Sequence, residues 1–168
     1  MWGAMKIILV AILAAAPALA LADAGPVALG PNGGKFGDWT AATYGSGADK
    51  ACYAFVSAKV STPALPKRGQ VMLTVTERQG ARDEVTISAG YDYPKDAAVT
   101  LTVGPHHIDF YTQDQDAFTT SGTEAVSAFR NGDAAVAKSP IGHGKFVVDS
   151  FPLAGFSGAF SAIRAACP

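Results

Sequence analysis

Two cysteines, Cys52 and Cys167, stand behind a leader of the export type, and nothing else in the chain constrains its fold as strongly. Thiols delivered to an oxidising compartment pair most simply as a disulfide. A Cys52–Cys167 bond ties the penultimate residue back onto the first third of the mature chain. Closing a loop of roughly 100 residues contributes about 4–5 kcal/mol in the chain-entropy model.

The leader is legible from its physics. Lys6 supplies the positive start, and Ile7-Ile8-Leu9-Val10-Ala11-Ile12-Leu13 opens an apolar run that continues through alanines to Leu21. Small residues then recur at A-x-A spacing around Ala18, Ala20, Ala22 and Ala24. These three parts predict a signal peptide over residues 1–22, cut after Ala22, with the neighbouring sites as alternatives. The apolar stretch is short for a bilayer span of about 20 residues, so cleavage is expected rather than anchoring. No cysteine lies near the cut to carry a lipid, and no second long apolar run follows, so the mature chain has no predicted membrane span.

What remains is the length of one domain. The formal charge of −1 includes Lys6, and Lys67-Arg68 and Arg78 with Arg82 are the densest basic groupings. Such scattering forms no stripe for a phosphate backbone, so no nucleic-acid partner is expected. Residues 23–35, rich in Gly and Pro, read as a flexible lead-in, and the domain is expected over 36–168.

Within it, apolar residues alternate with polar ones over short segments. Phe36 to Thr43, Lys50 to Val60, Gln70 to Glu77, Glu84 to Ala89, Ala98 to Val103 and His107 to Thr112 read as strands. In Gln70 to Glu77, for example, Val71, Leu73 and Val75 share one face. Strict period two marks half-buried antiparallel strands. Ala134 to Ala137 and Lys145 to Phe151 extend the set. Two segments keep helical spacing instead: Thr123 to Asn131, stopped by Gly132, and Leu153 to Cys167, where Leu153, Phe156, Phe160, Ile163 and Cys167 form one face. The expected fold is mainly β, an immunoglobulin-like β-sandwich with two short helices, the second C-terminal.

Phe36-Gly37-Asp38-Trp39, then Cys52-Tyr53, then Ala89-Gly90-Tyr91, resembles the invasion-associated locus B family. The tail from Gly144 to Phe160, containing Asp149-Ser150-Phe151-Pro152-Leu153-Ala154-Gly155-Phe156, fits the same pattern, as do Ala162-Ile163 and Cys167. The resemblance spans almost the whole mature chain. It implies an exported, immunoglobulin-like β-sandwich, associated in some pathogens with host-cell invasion, and it supplies no catalytic residues to carry over. Phe118 after Asp116-Ala117, where Trp is expected, and Pro152 within the tail depart from the pattern.

Reactive side chains were weighed one site at a time. His106 and His107 point to opposite faces of a strand, which leaves His107 and Asp109 as a pair, short of the three ligands a zinc site uses. Asp114 and Asp116 form a D-x-D without the Gly or Glu of a calcium loop, so a solvated hairpin turn is expected. Ser157 in Gly155-Phe156-Ser157-Gly158 lacks G-x-S-x-G spacing, and nothing places His143 and Asp149 around it. No metal, cofactor or catalytic residue is expected. Alternation buries Phe110 and exposes Tyr111. Tyr91 and Tyr93, beside Asp92 and Pro94, make a candidate contact loop with Tyr111, and packing of these rings at the ends of the sandwich is the alternative.

The resulting expectation is a periplasmic or secreted, non-enzymatic interaction protein that binds an envelope or host protein. The competing readings are an envelope hydrolase with an unrecognised site and a chaperone-like structural envelope factor.

Overall fold

The structure, a computed structural model, describes residues 25–168. The expected signal peptide lies outside the described residues. In chain order the elements are β1 (Val27–Ala28), α1 (Pro31–Gly34), β2 (Lys35–Phe36), β3 (Trp39–Tyr44), β4 (Ala51–Ser57), β5 (Val60–Thr62), β6 (Met72–Arg78), β7 (Ala81–Ser88), β8 (Ala98–Val103), β9 (His106–Gln113), β10 (Asp116–Phe118), α2 (Gly122–Asn131), β11 (Ala134–Gly142), β12 (Lys145–Pro152) and α3 (Phe156–Ala166). The mainly β fold is present, with α2 and the C-terminal α3 where helical spacing predicts them. α1 is a single turn whose Asn32 and Gly33 adopt positive φ.

All strand pairs are antiparallel and form one hydrogen-bonded path, β1-β3-β4-β6-β7-β10-β9-β8-β11-β12-β5, with β2 on β3. The path returns on itself because β5, at its far end, follows β4 directly in the chain. At that bend Ala58 N–H donates to Val71 O at 2.9 Å, and the next amide, Lys59 N–H, donates to Ser150 O at 2.8 Å. Trp39 Nε1–H bridges the same seam to Pro152 O at 3.0 Å. Two faces of one bent sheet therefore enclose the core.

The alternation explains what enters that core. Cys52, Ala54 and Val56 from β4, Leu73 and Val75 from β6, and Val99, Leu101 and Val103 from β8 are all buried. α3 adds Phe156, Ala159, Phe160 and Ile163 along one stripe. Phe156 is the hub, with ring centroids 4.9 Å from Trp39, 5.3 Å from Phe129 of α2 and 5.4 Å from Phe160. The helix starts later than its apolar spacing suggests because Gly155, at φ 92, turns the chain there. A Cβ on Gly155 would lie 1.8 Å from Phe36 O, so only glycine fits this approach.

One expectation is corrected. Of the lead-in over 23–35, the described part is not loose: Val27 and Ala28 pair with Thr43 and Ala42, Leu29 N–H donates to Ala41 O, and Gly34 is buried. The hairpin turn expected at Asp114 and Asp116 joins β9 to β10, and Asp116 opens β10 opposite Gln113, accepting from Ser88 Oγ at 2.6 Å. Asp114 remains in the turn, at φ 53.

The expected disulfide joins Cys52 on β4 to Cys167 just after α3, with Cα atoms 6.0 Å apart. Polar contacts fasten the same end: Lys50 Nζ donates to Ala166 O at 2.8 Å, and Arg82 donates to Cys167 O. Glu77 lies fully buried behind them, accepting from Arg82 at 3.1 Å and from Asp83 N–H at 3.2 Å. Burial raises its carboxyl pKa above the ordinary value, against the pull of Arg82. As pH rises the unfolded chain releases this proton first, so the native state holds the extra proton. The stability this group supplies is full below about 4.5 and falls as pH climbs toward the raised native value. Glu77→Gln, which keeps an acceptor but does not titrate, is expected to flatten that part of the profile in thermal melts between about pH 4 and about pH 7. An unchanged slope would contradict the assignment.

Candidate interaction surface

The disulfide sets the phase of β4. With Cys52, Ala54 and Val56 inward, Tyr53 and Phe55 must point out, and they stack on each other at 6.1 Å. In β9, Ile108 and Phe110 are inward, so Tyr111 is outward and 57% exposed. Buried Ala117 in β10 likewise turns Phe118 outward, directly opposite Tyr111, with the rings stacked at 5.7 Å.

Register then aligns these side chains. Thr40, Phe55, Thr74, Thr86, Phe118, Tyr111 and Ala98 are successive cross-strand partners on β3, β4, β6, β7, β10, β9 and β8. From Phe55 to Tyr111 this row spans roughly 20 Å at ordinary strand spacing. The flanking rows are Tyr53–Thr76–Glu84 and Met72–Ser88–Asp116. Their acids are already engaged: Glu84 pairs with Arg78 at 2.6 Å, and Asp116 accepts from Ser88. The result is a threonine-rich face with an aromatic pair at each side and little unbalanced charge. Shallow depressions indent it, one of about 300 Å³ lined by Tyr53, Phe55, Met72 and Thr74. Another, of about 230 Å³, adjoins Phe55 and is rimmed by Lys35, Asp38 and Lys59.

Of the candidate contact loop Tyr91, Tyr93 and Tyr111, only Tyr111 lies on this face. Tyr93 is 9% exposed and meets Tyr91 edge-on at 5.3 Å. Tyr91 is half-buried, donates its hydroxyl to Pro140 O at 3.1 Å and lies beneath the Arg68 guanidinium at 5.2 Å. Burial raises both phenol pKa values. Both rings turn inward over an ion pair in the interior. Arg68 and Asp149 side chains are 6% and 1% exposed, joined by two bonds of 2.7 Å. Ser61 Oγ adds a donor to Asp149 at 2.6 Å, and Arg68 Nε–H donates to Ala89 O at 2.6 Å. Such a pair is stable only when fully hydrogen-bonded and shielded, and the two tyrosines help roof it.

The reactive candidates stay apart. His106, His107 and Asp109 are exposed on β9; His107 Nδ1 lies 3.1 Å from Thr102 Oγ1, and Asp109 accepts from Thr100. His143 occupies the exposed β11–β12 turn at φ 52, about 20 Å along the strand from Asp149. Ser157 is exposed on the first turn of α3. Asp149 is committed to Arg68. Among the described residues, no three potential metal ligands converge. The outward aromatic Phe55 escapes the sequence reading, although the inward phase of Cys52 carries its signal.

Fold and face together define a disulfide-closed antiparallel β module with a docked C-terminal helix and a broad external sheet. The sequence model described as "Invasion associated locus B (IalB) protein" matches residues 39–164, and the chain belongs to that family. Among solved structures, the crystal structure of invasion associated protein b from Bartonella henselae matches with a TM-score of 0.57 at 15% identity, covering 79% of this chain and 94% of that one. This likeness extends to the fold. A comparison with curated proteins gave no match.

Proposed function

We propose that the protein is exported, loses residues 1–22, and works in the periplasm or outside the cell as a non-enzymatic binding module for an envelope or host protein. Family membership and the export-type leader support the location. The observation that carries the binding role is the Phe55–Thr74–Thr86–Phe118–Tyr111 row. It presents aromatic rings on a face where neither packing nor the disulfide requires them. Outward aromatic side chains of this kind, half-buried at Phe55 and Phe118 and exposed at Tyr111, are typical interface anchors. The printed name of the Bartonella henselae neighbour, an invasion associated protein, makes a host-cell surface one destination for that face.

Site-specific photo-crosslinking in intact cells tests this. A photoreactive residue at Thr86, at the centre of the row, is expected to give a discrete adduct, whereas one at Ser157 on α3 gives none. Adducts of equal yield at both positions, or at neither, would overturn the reading. Hydrolysis of a substrate panel that His143→Ala abolishes would replace it with the enzymatic one.

A further inference from the structure

The groove between α2 and α3 holds an arrangement that the sheet face does not use. On α2, Thr123, Ser127 and Arg130 follow at steps of four and three and form one exposed ridge. On α3, Ser157, Ser161 and Arg164 repeat the order hydroxyl, hydroxyl, arginine. Between the ridges lies an open groove of about 520 Å³ floored by Val126 and the buried ring of Phe160. Both guanidiniums stand on that ring, Arg130 at 4.9 Å from its centroid and Arg164 at 5.7 Å.

The two arginines differ in electrostatic state. Arg164 leans toward Asp83 at 3.6 Å and toward buried Glu77 at 3.9 Å. Asp83 also accepts from Thr123 at 2.8 Å, so one end of the groove is internally balanced. Arg130 makes no ion pair among the described residues and rests on Phe160 alone. Stacking on an aromatic face orients a guanidinium while leaving its N–H edge open for a planar, bidentate acceptor. Ser127, one turn earlier on the same ridge, lines the same groove with its hydroxyl-bearing side chain.

We propose that this groove binds an acidic peptide segment, one side-chain carboxylate of which pairs with Arg130. Exposed Glu124 sits at the opposite, N-terminal end of α2. It repels an extended anionic sheet such as a lipid surface, whereas a single carboxylate can settle at the Arg130 end alone. The site is separate from the sheet face and does not depend on it.

The test uses the full chain, labelled with ¹⁵N and titrated with a blocked six-residue peptide carrying one glutamate among alanines, against the same peptide with glutamine in its place as control. The Arg130 Nε–Hε signal is expected to shift saturably with the glutamate peptide only. Arg130→Gln is expected to weaken binding about ten-fold or more at unchanged melting temperature, because the replaced side chain is exposed. Phe55→Ser with Tyr111→Ser should leave this affinity unaltered, which keeps the outcome distinct from that of the sheet face. Absence of a saturable shift, equal affinity in Arg130→Gln, or tighter binding of inorganic phosphate or of phosphatidylglycerol vesicles than of the peptide would overturn the proposal.

Discussion

Cys167→Ser is expected to lower the melting temperature by roughly 10–20 °C without reducing export. The bond spans a sequence separation of 115 residues. In the chain-entropy model a closure of that length contributes about 4–5 kcal/mol through the unfolded state. The folded end should stay docked, because Phe156, Phe160 and Ile163 remain buried and Lys50 and Arg82 still hold the last carbonyls. Loss of stability should therefore accompany faster amide exchange at Cys167, whose N–H donates to Ile163 O, while the start of α3 stays protected. Circular-dichroism melts with and without reductant check the prediction. An unchanged melting temperature would mean that the bond does no stabilising.

Asp149→Ala should be as damaging for a different reason. Removing the carboxylate strands the Arg68 guanidinium in an interior site and leaves Ser61 without its acceptor. Breaking one side of a buried ion pair costs about 3–5 kcal/mol, a large share of the stability of one domain. Replacing both partners with apolar residues, Arg68→Met with Asp149→Leu, should recover much of that loss, since no buried charge is then left unpaired. Chemical denaturation of Arg68→Met, Asp149→Leu and the double variant closes the cycle. Additive losses would show that the two groups do not act as a unit.

Local pattern accounts for much of this fold. β8 occupies Ala98–Val103, the range its alternation predicts, because Val99, Leu101 and Val103 alone decide which face turns inward. α2 and α3 follow their apolar stripes in the same way. The elements that escape are those fixed by distant partners. β10 has only three residues, too few for a period to show, and exists because β7 and β9 pair with it on either side. Tyr91 and Tyr93, next to Pro94, read from the sequence either as a contact loop or as rings packed at the end of the sandwich. They turn inward because Arg68 and Asp149, remote in sequence, meet beneath them. The inward phase of Asp149, between buried Val147 and Phe151, is the trace of that pair in the sequence. The candidate face divides similarly: alternation exposes Tyr111, and the inward phase of Cys52 carries the unread signal that Tyr53 and Phe55 point outward. Their alignment in a row depends on register between strands that are not neighbours in the chain.

On the proposed function, the Phe55–Tyr111 row serves contact with a partner and not the stability of the sheet. The most direct measurement is the photo-adduct from Thr86 in a Phe55→Ser, Tyr111→Ser background, read beside the melting temperature of the same protein. The adduct is expected to disappear while the change in stability stays within about 1–2 kcal/mol, the scale of lost cross-strand pairs. An adduct that persists at full yield, or a variant that unfolds outright, would contradict it.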